Sequence, residues 1–506
     1  MLMRKRSGSG WILGALALVA APAGCAALLG LDDFSESAAT TGTGGAGTGG
    51  AGGAATTGTG GAASVTSSGT GGSTPCAVPA ECPQPPVGTH ATATCIKGIC
   101  DFACDVGHDN CDGDFLNNGC EADLESDAAH CGSCTTACAV PKCSQHICNK
   151  PIEVATGYYH TCAVLLDQSV WCWGKNGNGE LGDGTNITRP KPVSILPPGS
   201  ATKVVAGGGE ISPFTCALMT SNEVRCWGGN TYGQLGINST QDKNTPQPVG
   251  LSAVTDIVVG GGHTCAIKNP GTVYCWGHND SGQLGNGTKN NVLAPPSSSS
   301  ITGVTQIGLG VSHTCAARPG SNQQCWGNNG QGQSGDSSPG VKLLPSTVPF
   351  AGGNSVSQFA LGGNHTCGLV GAALYCFGAN YQGQLGITDQ TGGTYEVPQL
   401  VPLSDVKMVS LGQDRWSGAV AGVDDAVYMW GIEQEENMGN GPGGADTFYA
   451  PAVNGLKDVK QLSLGNLHAC ALKQNGELLC WGHNVFGEVG DGATSPNRAV
   501  PTPIAW

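Results

Sequence analysis

A Trp-Gly dipeptide recurs along the C-terminal part of the chain at a nearly constant interval. Phe377-Gly378 replaces it once, and the other copies begin at Trp173, Trp227, Trp276, Trp326, Trp430 and Trp481. Successive copies are 54, 49, 50, 51, 53 and 51 residues apart. Seven copies at this spacing indicate a repeat architecture, in which each copy is one structural unit packed against its neighbours.

Each copy carries the same parts in the same order. An apolar run ending in Gly is followed by His-Thr-Cys, a hairpin, Cys-Trp-Gly, Asn-x-x-Gly-Gln-Leu-Gly, a polar loop and a short apolar segment with Pro. Short β-prone runs punctuated by Gly, Asn and Pro predict about four strands per copy. Four strands repeated in seven copies describe a seven-bladed β-propeller, so we expect an all-β domain over residues 151–506.

Pairs of cysteines flank the hairpin of the repeat. Cys162 and Cys172 lie symmetrically about Asp167, as Cys265 and Cys275 do about Pro270. If the turn sits at that centre, the two cysteines face each other across an antiparallel pair at disulfide distance. The predicted bonds are Cys162–Cys172, Cys216–Cys226, Cys265–Cys275, Cys315–Cys325, Cys367–Cys376 and Cys470–Cys480.

The sixth copy lacks both cysteines. Met429 stands at the second position, and either Ser417 or Gly418 stands at the first. Partners that are lost together are what a bond within one blade predicts, whereas a metal site shared between blades would more often keep one ligand.

The succession His-Thr-Cys-Ala, Cys-Trp-Gly and Asn-x-x-Gly-Gln-Leu-Gly between Gly262 and Gly287 resembles the repeat of the regulator of chromosome condensation family. The resemblance covers about residues 151 to 506 and implies the family's fold, a seven-bladed propeller. The family's best-known activity, guanine-nucleotide exchange on a small GTPase together with chromatin binding, is then one candidate function.

A histidine precedes Thr-Cys in five copies, and five histidines could ring a central channel as metal ligands or catalytic groups. The resemblance implies a structural role instead, and the second copy has Phe214 at this position. Because a position that accepts Phe is expected to be packed, we favour the structural role. The five residues are His160, His263, His313, His365 and His468.

The N-terminus has the form of an export signal. Arg4, Lys5 and Arg6 precede the apolar run 11–21, and Ala23-Gly24 stands directly before Cys25. We expect a signal peptide over residues 1–24 and lipidation of Cys25, which would make the protein an outer-membrane or cell-surface lipoprotein. Simple cleavage and secretion is the alternative. Residues 25–75, rich in Gly, Ala, Ser and Thr, are expected to form a flexible linker.

Residues 76–150 contain twelve of the 25 cysteines and little apolar sequence, which predicts a small disulfide-rich module. Its stretch NGCEADLESDAAHCGSC resembles cysteine-rich segments of myxobacterial surface proteins and suggests a bacterial exported protein. Oxygen ligands among glycines could hold Ca²⁺ there, although they miss the EF-hand pattern, and a solvated acidic loop is the alternative. The candidate ligands are Asp109, Asp112, Asp114 and Glu121.

The charge balance limits the partners. The chain has 22 Lys and Arg against 37 Asp and Glu and lacks a basic stripe, so we expect no nucleic-acid binding, and membrane contact only through the N-terminal lipid. In the divergent sixth copy, Glu433, Glu435 and Glu436 accompany Trp416, which we expect to be exposed. They could form a rim that binds a basic partner, or the copy has simply drifted.

These features predict an exported interaction scaffold that binds an extracellular protein or glycan and has no resident cofactor. The sequence shows no nucleophile elbow, phosphate loop or metalloprotease helix, so we expect no enzymatic activity. Two alternatives remain. An exchange factor for a small GTPase would follow the family resemblance, and a hydrolase or lyase would use the propeller as a framework.

Overall fold

The computed structural model describes residues 77, 79–84, 90–96, 99–105, 108–109, 122–123, 143–144, 147–299, 301–320, 323–338, 340–350, 355–389, 392–413, 416–434, 436–442, 452–453 and 455–506. The chain divides into two compact units, with the boundary between Asn149 and Lys150. Among the described residues, none forms a helix long and apolar enough to cross a membrane. The expected signal peptide, lipidated Cys25 and linker lie outside the described residues.

Among its described residues, the N-terminal unit has three short antiparallel strand pairs. Strands β1 (Ala91–Ile96) and β2 (Ile99–Cys104) pair, and two-residue strands pair as β3 (His108–Asp109) with β4 (Ala122–Asp123) and β5 (Cys143–Ser144) with β6 (Ile147–Cys148). Cys82, Cys95 and Cys104 are disulfide-bonded. The side chain of Asp109 and residues 112, 114 and 121 lie outside what the structure describes, so the calcium site stays a prediction.

The C-terminal unit is the predicted seven-bladed all-β propeller. In each blade the strands follow one another as an antiparallel meander, and we call them A, B, C and D in chain order. Blade 1 contains β7 (Pro151–Thr156), β8 (His160–Leu165), β9 (Val170–Gly174) and β10 (Arg189–Leu196). Blade 2 contains β11 (Ala201–Gly207), β12 (Phe214–Met219), β13 (Val224–Gly228) and β14 (Lys243–Pro248).

Blades 3 to 5 repeat the pattern. Blade 3 contains β15 (Val254–Val259), β16 (His263–Lys268) and β17 (Thr272–Gly277), with an isolated bridge between Gly277 and Val292 in place of strand D. Blade 4 contains β18 (Gln306–Leu309), β19 (His313–Ala317), β20 (Gln324–Gly327) and β21 (Lys342–Thr347). Blade 5 contains β22 (Gln358–Leu361), β23 (His365–Val370), β24 (Ala373–Ala379) and β25 (Thr394–Leu400).

Blade 6 contains β26 (Val406–Leu411), β27 (Trp416–Ala421) and β28 (Ala426–Gly431), with a bridge between Tyr428 and Ala452. Blade 7 contains β29 (Val459–Leu464), β30 (His468–Lys473), β31 (Leu478–Gly482) and β32 (Arg498–Pro503).

The A strands contact one another around the axis, and β29 of blade 7 contacts β7 of blade 1. Each blade is built from one continuous segment, so the ring closes through contacts between two separate sheets rather than through a shared sheet.

The core lies between blades as well as within them. Leu181 of blade 1 and Trp227 of blade 2 belong to one buried cluster, and Leu235 of blade 2 shares a cluster with Trp276 of blade 3. A single sheet could not bury both of its faces, so the repeat is stable only when neighbouring blades stack on it.

All of the predicted propeller disulfides are present. The cysteines of each pair are directly opposite each other on strands B and C, with Cα atoms 4.0 to 4.1 Å apart. In blade 6 the equivalent pair is Gly418 and Met429, so Gly418 and not Ser417 replaces the first cysteine. A Cβ at Gly418 would lie 2.6 Å from the Met429 sulfur, which shows that the large side chain fills the space of the missing bond.

Candidate functional site

The repeated His-Thr, Trp-Gly and Gln-Leu-Gly elements meet at the seam between blades. At the seam from blade 7 to blade 1, the Thr161 hydroxyl and the Trp173 indole N–H both donate to the Glu488 carbonyl oxygen, at 3.0 and 2.8 Å. His468 Nε2 lies 2.9 Å from the same Thr161 hydroxyl. The motif therefore joins neighbouring repeats, which explains why its parts recur together.

The same histidine contact occurs at four other seams, at 2.8 to 3.0 Å, between His160 and Thr215, His263 and Thr314, His313 and Thr366, and His365 and Ser417. All five histidines are fully buried. Burial lowers the pKa of each to about 3, so the rings are neutral at physiological pH. Their place is structural, and the described residues contain no group of three or more His, Cys, Asp or Glu side chains that could hold a metal ion.

The second glycine of Gly-Gln-Leu-Gly lets the Trp indole of the next blade lie close to the backbone. A Cβ at Gly490 would lie 2.6 Å from Trp173 Nε1 of the next blade, and Gly490 has a φ of 79°. Any side chain here would meet the indole and would also be strained in the left-handed region, so the position requires Gly.

Trp416 of blade 6 is buried, and the expectation that it is exposed is wrong. It pairs with Gly431 as His160 pairs with Gly174, so it occupies the histidine position of its blade. Its side chain is 0% exposed and its indole N–H donates to the Asn466 carbonyl oxygen at 3.0 Å. It cannot form part of a binding rim without unfolding the blade.

The acidic residues of blade 6, unlike Trp416, include side chains that reach the surface. Glu433 and Glu436 are partly exposed, and Glu435 lies outside the described residues. Glu436 has a φ of 64° and occupies the position of the first glycine in Gly-Gln-Leu-Gly. A non-glycine residue in this region is unfavourable, and the strain marks the loop as divergent.

A polar belt near the propeller axis has no counterpart in the sequence predictions. Gln461 of blade 7 accepts from the Val154 N–H and donates to the Val154 carbonyl oxygen, both at 3.0 Å. At the equivalent positions, Gln306 and Gln358 make the same pair of bonds to the backbone of the next blade, at Phe359 and Val409. The other blades have side chains of other types there. The belt consists of Glu153, Lys203, Asp256, Gln306, Gln358, Met408 and Gln461. One signal could have found it, since each residue stands four positions before the Gly that ends the apolar run.

The belt is charged in blades 1 to 3. Lys203 pairs with Asp256 at 2.6 Å, and Glu153 accepts from the Val204 N–H at 3.1 Å. Burial raises the pKa of Glu153 to about 7, although nearby Lys203 opposes the shift. A small pocket beside Glu153 is lined by the A strands of blades 7, 1 and 2.

The A–B and C–D loops share one end of the propeller because the strands alternate in direction, and we call this end the AB/CD face. Where blades 7, 1 and 2 meet, it carries a group of residues that the sequence did not bring together. We call this group the Tyr159 cluster, and it consists of Tyr159, Lys175, His483, Phe486 and Glu488. The Tyr159 ring lies 5.1 Å from the His483 ring and 5.3 Å from the Phe486 ring, between centroids.

The cluster rests on a buried hydrogen-bonded pair, His483 and Glu488. His483 Nδ1 lies 2.5 Å from Glu488 Oε1, and the Phe486 N–H donates to the other carboxylate oxygen at 2.9 Å. Glu488 is fully buried, and His483 is 9% exposed. This arrangement fixes the orientation of the imidazole and of the Phe486 backbone, so the aromatic surface is preformed.

Exposed apolar and acidic groups surround the cluster. Ile211 is 64% exposed and Val485 is 52% exposed. Glu210 and Asp242 are exposed as well, and Asn178 links the region by donating to the Ile211 carbonyl oxygen and to the Asp242 carboxylate at 3.3 and 3.0 Å. Aromatic anchors with exposed aliphatic neighbours are typical of protein interfaces, so this region is the candidate binding site.

Fold and site together define a repeat propeller with a candidate binding face built from loops. Comparison with known families identifies it further. A model of the RCC1-like domain matches residues 112–416, and a model of the regulator of chromosome condensation (RCC1) repeat matches residues 459–488. The chain belongs to the RCC1-like family.

Relatives in this family differ widely in length. The ultraviolet-B receptor UVR8 of Arabidopsis thaliana is 28% identical over 367 residues, which are 70% of this chain and 81% of UVR8. The probable E3 ubiquitin-protein ligase HERC4 of Homo sapiens is 37% identical over 98 residues, which are 19% of this chain and 9% of HERC4. This chain therefore spans only a small part of the ligase.

Solved structures show the same fold. Human WBSCR16 superposes with a TM-score of 0.59 at 21% identity, over 67% of this chain and 94% of that protein. Prp20p of Saccharomyces cerevisiae, which binds Gsp1p and histones, superposes with a TM-score of 0.57 at 23% identity, over 67% of this chain and 86% of that protein.

Proposed function

We propose that this protein is an exported interaction scaffold that binds a protein partner through the AB/CD face at blades 7, 1 and 2. The observation that carries the proposal is the Tyr159 cluster, where preformed aromatic rings stand beside the exposed side chains of Ile211 and Val485. Exposed aliphatic groups gain most from burial against protein, so we place a protein partner before a glycan.

The disulfides support a location outside the cytosol. Six bonds cross the hairpins of six blades, and a reducing compartment would leave these cysteines as thiols. The N-terminal export signal and the lipidated Cys25 proposed from sequence agree with this location. In this proposal the linker holds the propeller away from a membrane.

Site-specific photo-crosslinking in the native cells tests the binding face. A photoreactive residue at Ile211 should crosslink to the partner, because this side chain borders the Tyr159 cluster. The same residue at Val423 is the control, since Val423 is 95% exposed but lies in the B–C hairpin of blade 6, at the opposite end of the propeller. Equal yields at the two positions, or products at Val423 alone, would contradict the proposal.

The intact mass of the native protein tests the compartment. A start at a lipid-modified Cys25 and a gain of about 2 Da per disulfide on reduction would support export. Free thiols on an unprocessed chain would contradict it and would favour an intracellular regulator of the exchange-factor kind.

A further inference from the structure

A lysine of the protein itself lies against the aromatic rings of the Tyr159 cluster. The rings of Tyr159 and Phe486 are inclined by 46°, and the Lys175 ammonium lies 5.4 and 5.5 Å from their centroids. Both distances fall within the range of a cation–π interaction. The two rings therefore form a groove that already holds a cation.

Lys175 is held weakly at this place. Its Nζ also approaches the Glu210 carbonyl oxygen, at 3.5 Å, which is the long limit for a hydrogen bond. No ion pair of Lys175 occurs within the part of the chain that the structure describes. Displacing its ammonium from the rings would thus break only weak contacts.

The structure also provides a second position for this ammonium. In blades 3 and 7 the residue after Trp-Gly bonds the residue at the Gln position of Gly-Gln-Leu-Gly, as His278 does with Gln283 and His483 with Glu488. The equivalent residues of blade 1 are Lys175 and Glu180. Glu180 is fully buried, and its Oε1 has no hydrogen-bond partner.

We propose that the groove between Tyr159 and Phe486 receives an arginine or lysine side chain of the partner protein, and that Lys175 is an internal occupant which moves onto Glu180 when the partner binds. The inference rests on the proposed function, because it names the chemistry of the partner at the same face. Charge complementarity favours a basic partner. Exposed Glu210 meets Lys175 through its carbonyl oxygen, and exposed Asp242 is joined to the neighbouring Ile211 backbone through Asn178. The whole chain also carries a formal charge of −15.

Titration calorimetry of the full chain with a hexa-arginine peptide tests the groove. Lys175→Met removes the internal occupant and should strengthen binding about fivefold, as loss of a competitor worth about 1 kcal/mol predicts. Lys268→Met is the matched control, because Lys268 lies over the single ring of Tyr274 at 5.7 Å in a B–C hairpin and its loss changes the net charge equally. The control should leave the affinity within about twofold of wild type.

Two further variants separate the groove from simple charge effects. Adding Phe486→Leu to Lys175→Met should abolish the gain, because half of the aromatic surface is lost. Glu180→Gln should weaken binding in the wild-type background, because the displaced Lys175 ammonium loses its carboxylate acceptor. Combined with Lys175→Met, Glu180→Gln should have no effect, because no ammonium is displaced in that variant. An unchanged affinity in Lys175→Met, or a gain that survives Phe486→Leu, would overturn the proposal.

The crosslinking experiment distinguishes this failure from failure of the proposed function. Crosslinks at Ile211 without any effect of Lys175→Met would keep the scaffold and refute the cation groove. A groove that behaves as expected with hexa-arginine while Ile211 gives no crosslink would keep the cation site and refute the protein partner at this face.

Discussion

At the scale of single residues, the repeat motifs are contacts between blades. The Thr hydroxyl and the Trp indole of one blade donate to the same backbone carbonyl oxygen of the preceding blade, and the His of that preceding blade contacts the Thr hydroxyl. The second Gly of Gly-Gln-Leu-Gly leaves room for the indole. Buried polar groups that satisfy one another in this way are costly to remove singly, because the remaining partner is left without water or protein to bond. Two residue-scale predictions follow from this.

Thr314→Val should lower the free energy of unfolding by about 1 to 3 kcal/mol, because it removes the partner of a buried imidazole. The Thr314 hydroxyl lies 2.9 Å from His263 Nε2 and donates to the Gln283 carbonyl oxygen at 2.8 Å. Thermal denaturation measures the change. Thr220→Val, at an exposed position, is the control and should change the stability much less. A similar small change in both variants would show that the seam contact is not stabilising.

Glu180→Gln should make stability less dependent on pH. Burial raises the pKa of Glu180 from 4.5 to about 7, so the folded protein holds this proton at pH values where the unfolded chain has lost it. The contribution of the neutral carboxyl to stability is complete below pH 4.5 and is lost as the pH rises through about 7. Because Gln does not ionise, the variant should lack this pH-dependent loss of stability, which amounts to up to about 3 kcal/mol in the free energy of unfolding.

The melting temperature of wild type and variant at pH 5 and pH 8 measures this effect. The difference between the two proteins should be larger at pH 8, with the variant more stable there. Glu223→Gln, at an exposed glutamate, provides the control. A Glu180→Gln variant that keeps the full pH dependence of the wild type would contradict the assigned burial effect.

At the scale of the element, the B–C hairpin is the unit that the disulfide closes. The bond joins directly opposed residues, and strands B and C of blade 6 keep the same register without it. The hairpin geometry is therefore set by strand pairing and turn, and the bond stabilises a shape that already exists. This makes blade 6 a natural test of the element.

The double substitution Gly418→Cys with Met429→Cys should form a seventh propeller disulfide. The two positions are paired as Cys162 and Cys172 are, and the Met429 sulfur that would clash with a new Cβ is removed at the same time. Closure of so short a loop should raise the free energy of unfolding by about 2 to 3 kcal/mol.

Mass spectrometry before and after reduction detects the new bond, and thermal denaturation measures its effect. Gly418→Cys alone should be less stable than wild type, because its Cβ would lie 2.6 Å from the Met429 sulfur. Free thiols in the folded double variant would show that the two residues do not face each other.

At the scale of the whole molecule, the ring closes where blade 7 meets blade 1. Because each blade is one chain segment, this seam depends on contacts such as those of Gln461 with Val154 and of Ser463 with Thr156. At the other seams the chain also links the blades covalently. The closing seam should therefore be the first to open.

Gln461→Ala should speed hydrogen exchange in β7 and β29 by about tenfold or more. The substitution removes two hydrogen bonds, of about 1 kcal/mol each, from the Gln461 side chain to the Val154 backbone at a seam that no chain connection links. Gln358→Ala is the matched variant at a linked seam, where Gln358 makes the same two contacts with Val409. Exchange followed by mass spectrometry compares them. An equal rise in the exchange rate in both variants would mean that the seam between blades 7 and 1 is as stable as a seam where the chain connects the two blades.

The sequence by itself determined the number of blades, the all-β class and the hairpin disulfides. These follow from periodic patterns and short-range pairing, as the ten-residue separation of Cys162 and Cys172 shows. It also identified the histidines as structural, because Phe214 replaces one of them. Local patterns suffice here, since each repeat faces the same surroundings.

Only the tertiary structure decided what depends on which blades meet. Trp416 was expected to be exposed, but its strand register places it at the buried histidine position, where a bulky side chain packs into the seam. Tyr159 and Phe486 are more than 300 residues apart and touch only because the ring closes. A single sequence carries no local sign of that closure, because the contact is made by the circular arrangement of all the blades.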